Sequence, residues 1–145
     1  MTVDVLTTCH IARAPDVVSA YAVDPDKACD WYANIRSAVW KTPPPLRIGS
    51  QIAFAAEFMG RRLEYTYEVV QFEPGALFVM RTAQGPFPME TTYGFEPAEG
   101  GTRMTLRNRG EPSGFSAWMA PLMSMAMRQA NRKDLQRLKD ILERN

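Results

Sequence analysis

The chain has 145 residues, of which 46% are hydrophobic and 23% charged, the range of one folded domain with a core of its own and not of a disordered chain. Seventeen basic residues stand against sixteen acidic ones, for a formal charge of +1. Such a balance leaves no electrostatic footprint for nucleic acid or for an anionic membrane.

Residues from about Val3 to Ala12 alternate, with Val3, Val5, Thr7, Cys9 and Ile11 on one phase and Asp4, Leu6, Thr8 and His10 on the other. That period predicts a strand. The run has no basic start and no long apolar stretch, so neither a signal peptide nor a membrane span is expected. Cytoplasmic residence, with Cys9 and Cys29 as reduced thiols, is the resulting expectation. Pro15 and Asp16 suit the first turn of a short helix whose apolar stripe is Val17, Val18, Tyr21 and Ala22. Asp24-Pro25 ends it, because a residue before proline is pushed out of the helical region. A second short helix is expected from Asp26 to about Ile35, carrying Cys29, Trp31 and Tyr32, and Pro43-Pro44-Pro45 follows as a stiff connector.

From Ile48 the period becomes two. Ile52, Phe54, Ala56 and Phe58 share one face, against Gln51, Ala53, Ala55 and Glu57. After a turn at Met59-Gly60, Leu63, Tyr65, Tyr67 and Val69 alternate with Arg62, Glu64, Thr66 and Glu68. Pro74-Gly75 leads into Phe78, Met80 and Thr82 on one face, while Leu77, Val79 and Arg81 take the other. Gln84-Gly85-Pro86 breaks that strand. Met89, Thr91, Tyr93 and Phe95 then oppose Glu90, Thr92, Gly94 and Glu96, and after Glu99-Gly100-Gly101 come Met104, Leu106 and Asn108. Short strands joined by tight turns predict antiparallel hairpins with one apolar face that needs a cover.

The tail supplies the cover. Phe115, Trp118, Met119, Leu122, Met123, Ala126, Met127, Ala130, Leu135, Leu138, Ile141 and Leu142 fall near helical spacing. Pro121 sits either in an early turn or at a kink. Arg128, Arg132, Lys133, Arg137 and Lys139 interleave with Asp134, Asp140 and Glu143, which reads as a solvated face. The whole predicts an α+β fold, residues 1–145 as one domain, with a long Met-rich helix across a curved antiparallel sheet.

The order of these pieces carries a resemblance. "APDVVSAYAVDPDKACDWYANI" after the first strand, then "LRIGSQIAF", "YEVVQFEPGALFVMRT", "YGFEPAEGGTRMTL" and the closing "RQANRKDLQRLKDILE" resemble the START-related, pollen-allergen-like superfamily (SRPBCC). The likeness is to its bacterial polyketide cyclase/dehydrase-like branch. It implies a helix-grip fold: a bent sheet of about seven strands wrapped around the last helix, with a ligand cavity between them. It does not imply one chemistry, since members bind or carry lipids, sterols and polyketides, some cyclise polyketides, and others act as co-chaperones.

The residues themselves narrow the chemistry. His10 is the only histidine and sits on the outward phase; no HExxH, CxxC, GxGxxG or P-loop occurs. No metal and no cofactor are therefore expected, and no His-based nucleophile. Arginines and aromatics occupy opposite faces, which argues against nucleic acid. The inward face offers Phe54, Phe58, Tyr65, Tyr67, Phe78, Met80 and Phe95 from the strands, and Trp118, Met119, Met123 and Met127 from the helix. Thr91, Tyr93 and Asn108 add polar points, together with the tyrosine hydroxyls. Methionine is the adaptable side chain of permissive apolar sites, and a few polar groups in an apolar wall are what small-molecule sites look like. Each of these residues also has a plain role as core.

No inward carboxylate is identified, so no catalytic group is assigned. The expected function is binding or carrying a small hydrophobic molecule (a lipid, sterol, polyketide or aromatic compound). A cyclase/dehydrase-like enzyme is the alternative. An interaction protein, pairing through the outward Leu77 and Val79, is a third reading. The expected state is a monomer or homodimer without stable membrane insertion.

Overall fold

In a computed structural model of the protein, the structure describes residues 3–58, 60–82, 88–111 and 119–144, Phe58 by its backbone alone. Strand β1 is Val3–Ile11; helix α1, Pro15–Ala22, follows, and one 3-10 turn at Pro25–Lys27 runs into helix α2, Ala28–Trp31. Strands β2 (Ile35–Trp40), β3 (Gln51–Phe58), β4 (Arg61–Glu73), β5 (Leu77–Thr82), β6 (Met89–Ala98) and β7 (Gly101–Gly110) precede the 25-residue helix α3, Ala120–Arg144. The strands form one antiparallel sheet in the order β1-β7-β6-β5-β4-β3-β2. With α3 packed along β1 and against α2, this is the helix-grip arrangement.

The period-two phases set the register. Tyr67 stands opposite Ile52, Phe78 opposite Tyr93, and Tyr93 opposite Leu106, so one face of five strands, β3 to β7, is continuously apolar. The buried core joins that face to Val18, Trp31, Leu135, Leu138 and Leu142 from the helices. Each fully buried aliphatic side chain among them contributes roughly 1.5–3 kcal/mol. On the opposite face charges pair across strands: Glu90 lies 2.7 Å from both Arg81 and Arg109, Glu96 2.8 Å from Arg103, and Asp4 2.7 Å from Arg107. The β6–β7 turn has positive φ at Glu99 (31°) and Gly100 (76°), as a two-residue hairpin requires. A side chain at the next residue, Gly101, would run into the carbonyl of Ile11, so only glycine lets β7 lie this close to the end of β1.

Several expectations change. The second helix stops at Trp31, because Tyr32 turns extended (φ −84°, ψ 112°) and the Ala33 N–H bonds to Asp134 on α3. Residues 35–40 are instead an edge strand, bulged between Ile35 and Ser37. The period-two run after the prolines begins at Gln51, with Ile48 exposed in the loop before it. Val79 is buried despite its outward phase, between cross-strand neighbours Gln71 and Thr92, and Leu77 is half-buried. Leu77 and Val79 therefore offer no exposed apolar patch. Pro121 falls in the first turn of α3, where a missing N–H breaks no helical bond. Cys9 and Cys29 are free thiols, and His10 is exposed with its ring 3.0 Å from the Ala98 carbonyl.

Candidate functional site

A cavity of about 180 Å³ lies between the sheet and α3. Its floor comes from the inward phase of the central strands. Phe54 on β3, Tyr65 and Tyr67 on β4, and Phe78 and Met80 on β5 line it, as do Thr91 and Tyr93 on β6 and Asn108 on β7. Its roof is one stripe of α3, Met123, Met127, Ala130, Asn131 and Asp134, and the segment through Tyr32 and Ile35 closes a side. Aromatic rings meet edge to face along the floor: Tyr65 and Tyr67 at 5.4 Å and 85°, Phe54 and Tyr67 at 5.9 Å and 76°. Such packing makes a rigid apolar wall.

Ten of the fourteen residues expected to bind ligand therefore share this cavity. Phe95 does not. It sits near the β4–β5 turn that α1 covers, its N–H bonded to the Ala76 carbonyl, and serves as core. Met119, half-buried just before α3, does not line the cavity either. Trp118 and the Phe58 side chain lie outside the described residues.

Besides Asp24, Asn34 and Thr82, three sets of polar side chains interrupt the apolar wall. The Tyr32 and Tyr93 hydroxyls are 2.6 Å apart, and burial pushes both phenols above their ordinary range. Thr91 donates to Asn108 Oδ1 at 2.7 Å and stands 3.2 Å from the Tyr67 hydroxyl, whose titration burial also raises. The third group, Asn131 with Asp134, is on α3. Asp134 is 3% exposed, and burial lifts its carboxyl to about 6 against the opposing pull of the Ala33 N–H and Arg137. Asn131 is 5% exposed and its Nδ2 has no hydrogen-bond partner among the described residues.

The inward carboxylate missing from the sequence reading is therefore present. Arg132, Lys133 and Arg137, which surround Asp134 in sequence, point it to the solvated face. Yet it lies seven residues after Met127 and four before Leu138, on the buried stripe, and that spacing was the available signal. A helix through Ile35 hides Tyr32 from a sequence reading, because only its extended backbone after Trp31 turns the phenol to the cavity. Among the described residues no cluster of three or more His, Cys, Asp or Glu side chains could hold a metal.

The fold and this cavity define a helix-grip protein with a hollow between sheet and helix. Residues 2–143 match the family model for polyketide cyclase/dehydrase and lipid transport, and the chain belongs to that family. Among solved structures it is similar to the ZhuI aromatase/cyclase of a Streptomyces species, at 14% identity and a TM-score of 0.82, covering 99% of this chain and 95% of that one. A START superfamily protein from Mycobacterium smegmatis matches at 14% identity and a TM-score of 0.80, covering 97% of both chains. A major latex-like protein from Panax ginseng matches at 12% and 0.64, covering 91% of this chain and 97% of that one. Identities this low speak to fold alone. No relative among curated proteins matches the sequence. Among the described residues no helix is long and apolar enough to cross a membrane.

Proposed function

We propose that residues 1–145 form one ligand-binding domain that takes up a small, mainly apolar ring compound between the sheet and α3. The observation that carries this reading is the cavity itself, walled by aromatic and methionine side chains and marked by a few buried hydroxyl and amide groups. That is the composition of small-molecule sites. An apolar cavity of about 150 Å³ accepts benzene. At about 180 Å³ this one suits one or two rings, and a sterol would require the wall to move. Met123 and Met127 are the side chains on the roof best able to give way. The free thiols Cys9 and Cys29 support residence in the reducing cytoplasm, and the protein acts there as a monomer or homodimer. Calorimetric titration with a panel of sterols, fatty acids and polyphenols tests the binding reading. Saturable uptake of ring compounds supports it, and no uptake across the panel overturns it.

One observation favours a second reading, that of a cyclase/dehydrase-like enzyme. A buried carboxyl near 6, inside a cavity, is poised to take and return protons at neutral pH. Turnover of β-hydroxy ketones that is abolished in Asp134→Asn and reduced in Tyr93→Phe would support it. Identical product formation with and without the protein would exclude it for that substrate class.

A further inference from the structure

The charges around the cavity are one-sided. Asp24 and Asp134 line it, and among the described residues no lysine, arginine or histidine does. Asp24 is only half-buried, and its Oδ1 accepts the Asp26 N–H to cap the turn that follows, so it is the buried Asp134 that faces the enclosed space. Asp134 is engaged on one side only: Oδ1 accepts the Ala33 N–H at 3.1 Å, and among the described residues no group bonds its other oxygen. Asn131 lies three residues earlier, one turn away on the same helix face. Its buried Nδ2 has no acceptor. Native structures pair nearly all such groups, so a donor and an acceptor standing side by side in an apolar chamber mark a place where something else completes the set.

We propose that Asn131 and Asp134 act as a two-point clamp for an uncharged ligand carrying a carbonyl oxygen and an N–H or O–H on neighbouring atoms, of which a carboxamide is the simplest case. The ligand's carbonyl accepts from Asn131 Nδ2, and its N–H donates to the open oxygen of Asp134. The clamp rests on the reading of the cavity as a ligand site and specifies what that site selects. A carboxylate or phosphate would bring a second negative charge beside Asp134; among the described residues no cation lines the wall to offset it, and Arg137, outside the lining, already acts on Asp134 itself. A purely apolar ligand would fit the wall but leave both groups unpaired, and sites built around such groups reject analogues that lack the matching atoms. This separates the cavity from one built for fatty acids, where a buried cation would be needed.

Three compounds on one ring skeleton test the clamp: naphthalene-carboxamide, naphthalene-carboxylate and methylnaphthalene, titrated into the whole protein at near-neutral pH and followed by naphthalene fluorescence. The carboxamide should bind at least about tenfold tighter than either of the others. Asn131→Leu should bring the carboxamide within about threefold of methylnaphthalene. Asp134→Asn keeps an oxygen for the Ala33 N–H and turns an amide donor to the cavity, so it should narrow the gap between carboxylate and carboxamide by about tenfold. Circular dichroism melts establish that each variant is folded. If Asn131→Leu fails to fold, the near-isosteric Asp134→Asn decides alone. Equal binding of carboxamide and methylnaphthalene, or of carboxamide and carboxylate, would overturn the clamp while leaving the cavity as a ligand site. Unchanged preferences in both variants would do the same. If none of the three compounds binds, the clamp is refuted, and an equally silent wider panel would take the ligand site with it.

Discussion

Replacing Asp134 by asparagine isolates what it costs this fold to keep a carboxylate in the cavity wall. Burial lifts the Asp134 carboxyl from the ordinary 3.8 to about 6, opposed by the Ala33 N–H and by Arg137. The other titratable groups facing it are Tyr32 and Tyr93, both held neutral by burial. A folded-state value above the unfolded one means that the folded chain holds the proton more tightly. The stability this group contributes is therefore complete below about 3.8 and is lost as pH rises through about 6. At neutral pH the loss amounts to roughly 2–4 kcal/mol. Asparagine retains an oxygen for the Ala33 N–H and has no charge to bury. Asp134→Asn should thus match the native protein near pH ~4 and exceed it by about 3 kcal/mol near pH ~7.5, a rise in Tm of roughly 6–12 °C. Asp4, Glu90 and Glu143 work in the opposite sense. Bonds from Arg107, from Arg109 and Arg81, and from Lys139 lower their pKa values, so their contributions fade in acid. Those three are common to both proteins and cancel in the difference. Urea unfolding of the pair across that pH range reads the effect directly. A difference that stays flat with pH, or an asparagine variant less stable at neutral pH, would refute the reasoning.

Other substitutions probe the same architecture. Tyr93→Phe leaves the Tyr32 hydroxyl without its 2.6 Å partner and should cost about 1–2 kcal/mol in thermal unfolding; adding Tyr32→Phe should cost less than the two separate losses combined. Gly101→Ala forces a methyl group against the Ile11 carbonyl, where backbone must move, and should destabilise by about 1–3 kcal/mol or more in urea. Met127→Ala enlarges the roof of the cavity, so binding isotherms should shift in favour of three-ring over two-ring ligands, while stability falls by only about 1–2 kcal/mol because Met127 is half-buried. Arg103→Ala, which removes an exposed pair with Glu96, should change stability by less than about 1 kcal/mol.

How much of this was legible in the sequence depends on how locally each feature is determined. The phases of β4, β6 and β7 are readable because one face of each is dry and the other carries charge, so Tyr65, Tyr67 and Tyr93 announce their direction, whereas on β5 the outward Val79 is buried as well as Phe78. β2 was not readable from its residues. As an edge strand with both faces partly exposed and a bulge at its start, Ile35–Trp40 has no clean alternation. The early end of α2 depends on a contact with Asp134 about a hundred residues away, which no local propensity encodes. Asp134 misled for a different reason. Residue type argued for solvent, while helical position argued for the interior, and position prevailed because Met127, Asn131, Leu135 and Leu138 share its stripe. The cavity's lining was legible strand by strand. Its polar corner, assembled from α3 and the loop after α2, was not.

The sheet order has a consequence for how the chain is made. β1 and β2 are separated by little more than twenty residues, yet they occupy opposite edges, and β1 finds its partner only in β7, with Val3 opposite Gly110. As synthesis proceeds, β3 through β7 can each zip onto the strand just made, hairpin by hairpin. β1 has nothing to pair with until β7 leaves the ribosome, and α3, which packs along it, emerges later still. Pairings this distant in sequence are the slow ones. Val3, Val5 and Ile11 thus stand uncovered until β7 and α3 have been made, and β1 is where a holding chaperone has work to do and where misassembly has its opening.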